Sequence, residues 1–210
     1  MKHALAGLTA ALLAATPVMA QEHPAMAPTR DVTIDYSLDN KAAGNQPRTM
    51  KMQVTAGGTR MRIEAQGAPG YMIVDRTAGR TIMVMTQQHA YADLPTSPAM
   101  ANSFQLNDKM GFTRQGTDTV AGQRCTVWTV RRENGAGVAC ISDDGVLLRG
   151  DSDTGGGPSH MVATKVTYGS LADSVFQPPA GYKKMDMPAM PPGAARPGAA
   201  PGAAPGAPHP

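Results

Sequence analysis

The sequence predicts an antiparallel β-sheet protein, and three observations point there. Apolar and polar residues alternate with period two through most of the stretch from 30 to 184. Gly- and Asp-containing turn signals separate the alternating runs. Pro is concentrated near the two ends of the chain and is sparse within those runs.

Taken in order, Val32, Ile34, Tyr36 and Leu38 share one face of the first run, with Asp31, Thr33, Asp35 and Ser37 on the other. Met50, Met52 and Val54 alternate with Thr49, Lys51 and Gln53, and Met61, Ile63 and Ala65 with Arg60, Arg62 and Glu64. These are half-buried strands, one face apolar and one wet. Gly57-Gly58 between the last two reads as a two-residue hairpin turn. The runs 71–75 and 80–85, joined by Arg76-Thr-Ala-Gly79, carry apolar side chains on both faces. They are expected to lie centrally, with the second face covered. A strand over 89–94 ends at Pro95. Residues 99–106, after Pro98, suit a short helix. Strands resume over 112–118, 124–131, 138–142, 146–149 and 161–168, with Asp143-Asp144-Gly145 as a turn. Ser170-Leu-Ala-Asp173 has the form of a capping box opening one helical turn, ended by Pro178-Pro179.

The ends are different material. Residues 1–20 have the three parts of a secretory signal: Lys2 and His3, the apolar run 4–15, then Val18-Met19-Ala20 before a cut at Gln21. The run is too short to span a bilayer. No Cys stands near the cut, so acylation there is not expected, and no later segment is long and apolar enough to cross a membrane. The mature chain is expected to be soluble and, in a Gram-negative cell, periplasmic. Residues 21–29 read as a flexible leader and 30–184 as one domain. Residues 185–210, ending in a Pro-Gly-Ala-Ala repeat without large apolar side chains, read as a disordered tail.

Charge and motifs exclude several functions. The formal charge is +3, and removing the signal takes away one Lys and no acid. No basic run is interleaved with aromatics, so nucleic acid is a poor partner. Aromatics make up 4% of the chain, too few for the girdles of a membrane barrel. His89 and His160 sit in no nucleophile or metal motif, and Gly155-Gly156-Gly157 is followed by no phosphate-binding Lys. Neither an enzyme nor a resident cofactor is expected.

Cys125 and Cys140 are the only cysteines. In an exported chain a disulfide is the default, with a redox pair the alternative. A turn centred on Asn134-Gly135 would place Cys125 opposite Asp144, so the pairing asks for a longer or asymmetric loop. Fifteen methionines are many, and Met50, Met52, Met61, Met72, Met83 and Met85 fall at strand positions. They either fill a core short of aromatics or line a pliable ligand surface. Met185, Met187 and Met190, with His23 and Met26 in the leader, offer soft ligands suited to Cu(I), or are simply methionines of a Met-rich chain.

Four segments form a larger pattern: Ala121-Gly122-x-x-Cys125-x-x-Trp128, the block 138–149 around Cys140-Ile-Ser-Asp-Asp-Gly145, Ala163–Tyr168, and Val175-Phe-x-Pro-Pro-Ala-Gly-Tyr-Lys183. Over about 30–184 they resemble an uncharacterised periplasmic domain family related in fold to the lipoprotein carriers LolA and LolB. The resemblance implies a mainly β fold: a curved antiparallel half-barrel sheet with one or two short helices on the concave side, where related carriers hold acyl chains. It supplies no catalytic residue. On that arrangement the candidate ligand-binding residues are Met50, Met52, Met61, Ile63 and Met83, and the expected function is a soluble periplasmic carrier of an apolar or amphipathic ligand. The alternative is a copper-handling protein using the Met/His termini.

Overall fold

The computed structural model describes residues 23–40, 48–94, 106–133, 135–153 and 158–186. The signal segment, the expected helix over 99–106 apart from Leu106, the Gly155–Gly157 loop and the tail beyond 186 lie outside them. The described residues form twelve strands: β1 (Val32–Asn40), β2 (Arg48–Val54), β3 (Arg60–Ala65), β4 (Gly70–Asp75), β5 (Arg80–Met85), β6 (Ala90–Leu94), β7 (Gly111–Val120), β8 (Gln123–Arg132), β9 (Gly135–Ile141), β10 (Leu147–Asp153), β11 (Pro158–Tyr168) and β12 (Lys183–Lys184). They make one open, curved sheet in the order β12-β6-β5-β4-β3-β2-β1-β11-β10-β9-β8-β7. Every pairing is antiparallel except β12 with β6. Among the described residues no helix is long and apolar enough to cross a membrane.

The alternation read from sequence sets which side chains share a face. Ile34 pairs with Met52, Met52 with Ile63, Ile63 with Met72 and Met72 with Met83, so these five point to one side. Val32, Tyr36, Met50, Val54, Met61 and Val74 join them through the neighbouring pairs, and most are nearly inaccessible to solvent. The opposite side of β4 to β6 carries Tyr71, Ile73, Ile82 and Val84. There the chain from Leu171 to Tyr182 packs, with Phe176 buried at its centre. Apolar side chains on both faces of β4 and β5 thus have two different covers.

Curvature comes from irregular pairings. The register slips between Asp35 and Tyr36 against β11, between Leu147 and Arg149 against β9, and between Arg114 and Gly116 against β8. An extra residue on one strand bends it and sharpens its twist. With β11 bent in this way, the Tyr36 hydroxyl on β1 donates to the Leu147 carbonyl at the start of β10 at 2.7 Å, although β11 lies between those strands in the sheet. Burial pushes the Tyr36 phenol well above its ordinary value, so it stays a neutral donor.

Three local expectations are revised. The β2–β3 connection is longer than two residues. Thr55 and Arg60 close it through a backbone bond of 3.1 Å, and the Thr55 hydroxyl accepts the Arg60 amide at 3.0 Å. A 3₁₀ turn, Ala56–Gly58, lies inside it. The helical turn near Ser170 starts later, at Asp173–Phe176, without a side-chain cap. The Leu171 amide is instead held by the Asp31 carboxylate at 2.9 Å, which keeps Ser170 outside the turn. No asymmetric loop is needed for the cysteines: Arg132 pairs with Gly135, one position earlier than the turn read from sequence. Cys140 then faces Val127, and Cys125 lies diagonally from it, two residues along, with Cα atoms 5.4 Å apart and the sulfurs bonded. Both half-cystines are buried with Val120, Val146 and Leu148.

Closing a loop with a sequence separation of 15 restricts the unfolded chain by about 3 kcal/mol on the chain-entropy account. Cys125→Ser/Cys140→Ser is therefore expected to lose close to that much stability in urea unfolding at unchanged β-type circular dichroism. A loss under about 1 kcal/mol would show that the bridge contributes little beyond β8–β9 pairing.

Candidate functional site

The curl of the sheet encloses a cavity of about 420 Å3. One wall is the shared face of β1 to β3, through Ile34, Tyr36, Leu38, Met52, Val54 and Met61. The facing wall comes from distant sequence: Val130 on β8, Ala139 on β9, Leu147 and Gly150 on β10, and Met161 on β11. On the same face as that wall Trp128 is buried beside Val130 and Ala139, with Phe112 edge-on at 6.3 Å between ring centres. From the Val54 end to the Leu38 end the β1 wall runs six residues, about 20 Å at strand spacing. The volume is that of a small-ligand cavity.

The two ends differ. One is closed by residues 26–28 and by the Ala56–Gly58 turn. The segment 23–30 is tied down along this end. The Gly57 amide donates to the Pro28 carbonyl at 2.7 Å and the Thr29 amide to the Asp144 carbonyl at 2.9 Å. The Asp144 carboxylate accepts from the Thr29 hydroxyl at 3.1 Å and from Arg30 at 2.7 Å, and the Arg30 guanidinium stacks over Tyr168 at 3.8 Å. Gly145, at φ 79°, is required here: a Cβ would stand 2.2 Å from the Ala27 carbonyl oxygen. At the same end the half-buried Arg76 guanidinium donates to the Gly58 carbonyl, and burial lowers its pKa. Among the described residues the other end, past Leu38 and Met161, is open. Its margin holds Arg132, Gly135, Ala136, Ser152, Ser159, the exposed Val138, and Asp39, Asp151 and His160.

The sequence-derived candidates distribute unevenly over this geometry. Met52 and Met61 line the cavity. Met50 is buried on the same face but borders a shallower depression with Asp35, Lys51 and Glu64. Ile63 and Met83 are half-buried on that face, outside the lining. Met185 is exposed beside β12, and Met187 and Met190 lie outside the described residues. Met26 lines the closed end of the cavity. Among the described residues no three His, Cys, Asp or Glu side chains gather as a metal site. The facing wall escaped the sequence reading, although Gly137, Ala139 and Gly150, small residues at apolar-face positions, were a usable signal.

No protein-family model matches the chain, and no curated protein does. Solved structures do. An uncharacterised conserved protein from Thermus thermophilus aligns with a TM-score of 0.54 at 8% identity, over 76% of this chain and 91% of that one. A chain of the MucA/MucB complex of Pseudomonas aeruginosa aligns with a TM-score of 0.50 at 18% identity, over 70% of this chain. Here the match spans about half of the other protein, 55% of its length. A LolA superfamily protein from Nitrosomonas europaea is similar with a TM-score of 0.41 at 9% identity, over 71% and 91% of the two chains. The first two show a shared fold.

Arg30 and the Thr29 hydroxyl hold the Asp144 carboxyl below its ordinary pKa. A depressed carboxylate contributes stability above its unfolded value of ~3.9, and the contribution is lost as pH falls through the folded value. Acidification from the unfolded value of ~3.9 downward is thus expected to loosen the 23–30 segment progressively. Asp144→Asn should do so at neutral pH, read as faster hydrogen exchange at the Thr29 and Gly57 amides. Unchanged exchange at both amides would show that the backbone bonds alone hold the segment.

Proposed function

We propose that this protein is an exported, periplasmic carrier that holds the acyl chain of an amphipathic ligand in the cavity between β1–β3 and β8–β11. The observation that carries this reading is the cavity itself: about 420 Å3, walled largely by apolar side chains and, among the described residues, closed at one end and open at the other. An apolar surface of this kind in a soluble protein calls for an occupant or a cover, and a one-ended channel suits a linear chain better than a compact molecule. Thioethers from Met26, Met52, Met61 and Met161 make the lining adaptable to chains of different shape. Export is supported by the signal-like residues 1–20 and by the Cys125–Cys140 disulfide, a bond of oxidising compartments. In this reading residues 1–20 are removed and 185–210 form a disordered tail. The resemblance of the Cys140-to-Gly145 block and the Phe176–Tyr182 ending to LolA-related domains points the same way.

Gly150 provides the test. It lines the cavity, and a Cβ there would meet only Leu147, at 3.7 Å, so a side chain can be added without backbone strain. Delipidated wild-type protein is expected to take up a fluorescent fatty acid saturably at one site. Gly150→Leu, projecting into the channel, should weaken uptake by about tenfold or more, at little change in melting temperature, because ligand and side chain compete for one volume. Wild-type protein that binds no acyl-chain probe saturably would remove the carrier function.

A further inference from the structure

We infer that residues 24–28 are a displaceable end-stop of the cavity, and that Met26 sets the longest hydrocarbon chain the protein holds. This rests on the carrier reading and adds a chain-length limit and the residue that imposes it. The closed end is built from described residues, with Met26, Ala27 and Pro28 beside Val54, Met61 and Gly145. Val54 and Met61 are fixed by the pairing of β2 with β3. Met26 comes from a segment outside the sheet and is only half-buried. A chain that enters past Leu38 and runs along β1 passes Tyr36 and Ile34 and reaches this segment last. Arg76 lines the same end, but its guanidinium is turned to the Gly58 carbonyl on the neighbouring turn.

The way the segment is held makes it a stop that can yield. Pro24 and Pro28 have no amide hydrogen, so neither can donate to a strand ladder. The bonds that tie the segment to the sheet leave from its last residues. The Pro28 carbonyl accepts the Gly57 amide, and Thr29 and Arg30 hold Asp144. Ahead of these, Ala25 and Ala27 seat against glycines. A Cβ built on Gly145 would stand 3.1 Å from the Ala25 Cβ, and one built on Gly58 would stand 3.4 Å from the Ala27 Cβ. Methyl groups on glycines bury little apolar area, and burial contributes in proportion to area. A chain pressing on Met26 thus meets a wall seated by small side chains and hinged at the Asp144 anchor. The side walls, by contrast, are hydrogen-bonded strands.

The full-length protein is titrated with saturated fatty acids from octanoate to stearate, lengthened by two methylenes at a time and kept below their micelle concentrations. Displacement of a fluorescent fatty acid reads the affinity. Affinity is expected to rise about tenfold per step while the chain stops short of Met26, then to level off at one length. Met26→Ala should move that break to a longer chain and Met26→Trp to a shorter one. Neither should alter affinity for the shortest acids, which do not reach residue 26, and this separates an end-stop from a general loss of packing. Met26→Ala decides alone if the tryptophan variant does not fold. Asp144→Asn, which frees the anchor, should let affinity go on rising past the wild-type break. A break that stays in place in the Met26 variants, a change equal at every chain length, or a series with no break overturns the assignment while leaving a carrier. A break unmoved in Asp144→Asn shows a fixed wall and overturns the displaceable one. Absence of binding at every length overturns the carrier as well.

Discussion

An open sheet with one strongly apolar face has no second sheet to bury that face against, and here it is buried by bending the sheet over itself. The bend is concentrated where β1, β11 and β10 meet. The extra residue that β11 accommodates opposite Asp35–Tyr36 turns the strand, and the bond from Tyr36 to the Leu147 carbonyl fixes the angle reached. A fully buried phenol needs a partner, since an unpaired hydroxyl there would cost about 1–3 kcal/mol. That requirement ties the two halves of the sheet together. The cavity, its two unlike ends and the placing of Val130 and Ala139 opposite Met52 all follow from this one fold line.

The two free margins of the sheet are treated differently. β6 is covered by β12, whose Lys183 amide bonds to the His89 carbonyl at 3.0 Å and whose Lys184 reaches Asp93 at 2.8 Å. Arg80 holds the same Asp93 from β5 at 2.6 Å, so one carboxylate anchors the returning chain. β7 is the outer strand at the other margin. It is mostly exposed, and its slip between Arg114 and Gly116 interrupts the row of backbone groups it presents. A broken, polar edge is a poorer template for unwanted strand pairing than a flat apolar one.

Much of this was legible in the residues, for a physical reason. β1 to β3 have one wet face, and a wet face forces strict alternation; Asp35, Lys51, Arg62 and Glu64 mark it, and the register partners of Ile34 and Met52 follow. Legibility fails where local rules yield to distant contacts. β10 and β11 extend well past their readable cores because Gly150, Ser152 and Ser159 are strand residues by pairing, without a propensity signal of their own. The Gly57-Gly58 turn is longer than its sequence suggests because a threonine hydroxyl bonds across it. Of the methionine face, the portion lining the cavity is decided by how far the sheet curls, which no single strand encodes. Met52 and Met61 fall under the fold line, while Ile63 and Met83 fall beyond it.

The choice of methionine for that lining has a chemical side. Leucine would fill the same space but cannot be oxidised under mild conditions, whereas a thioether takes up one oxygen to become a polar, chiral sulfoxide. Met26, Met52, Met61 and Met161 all border one cavity. Oxidant that reached it would turn an oily channel into one studded with S=O dipoles, without breaking a strand or the disulfide. The change would fall on the polarity of the cavity wall and leave the sheet that forms it in place.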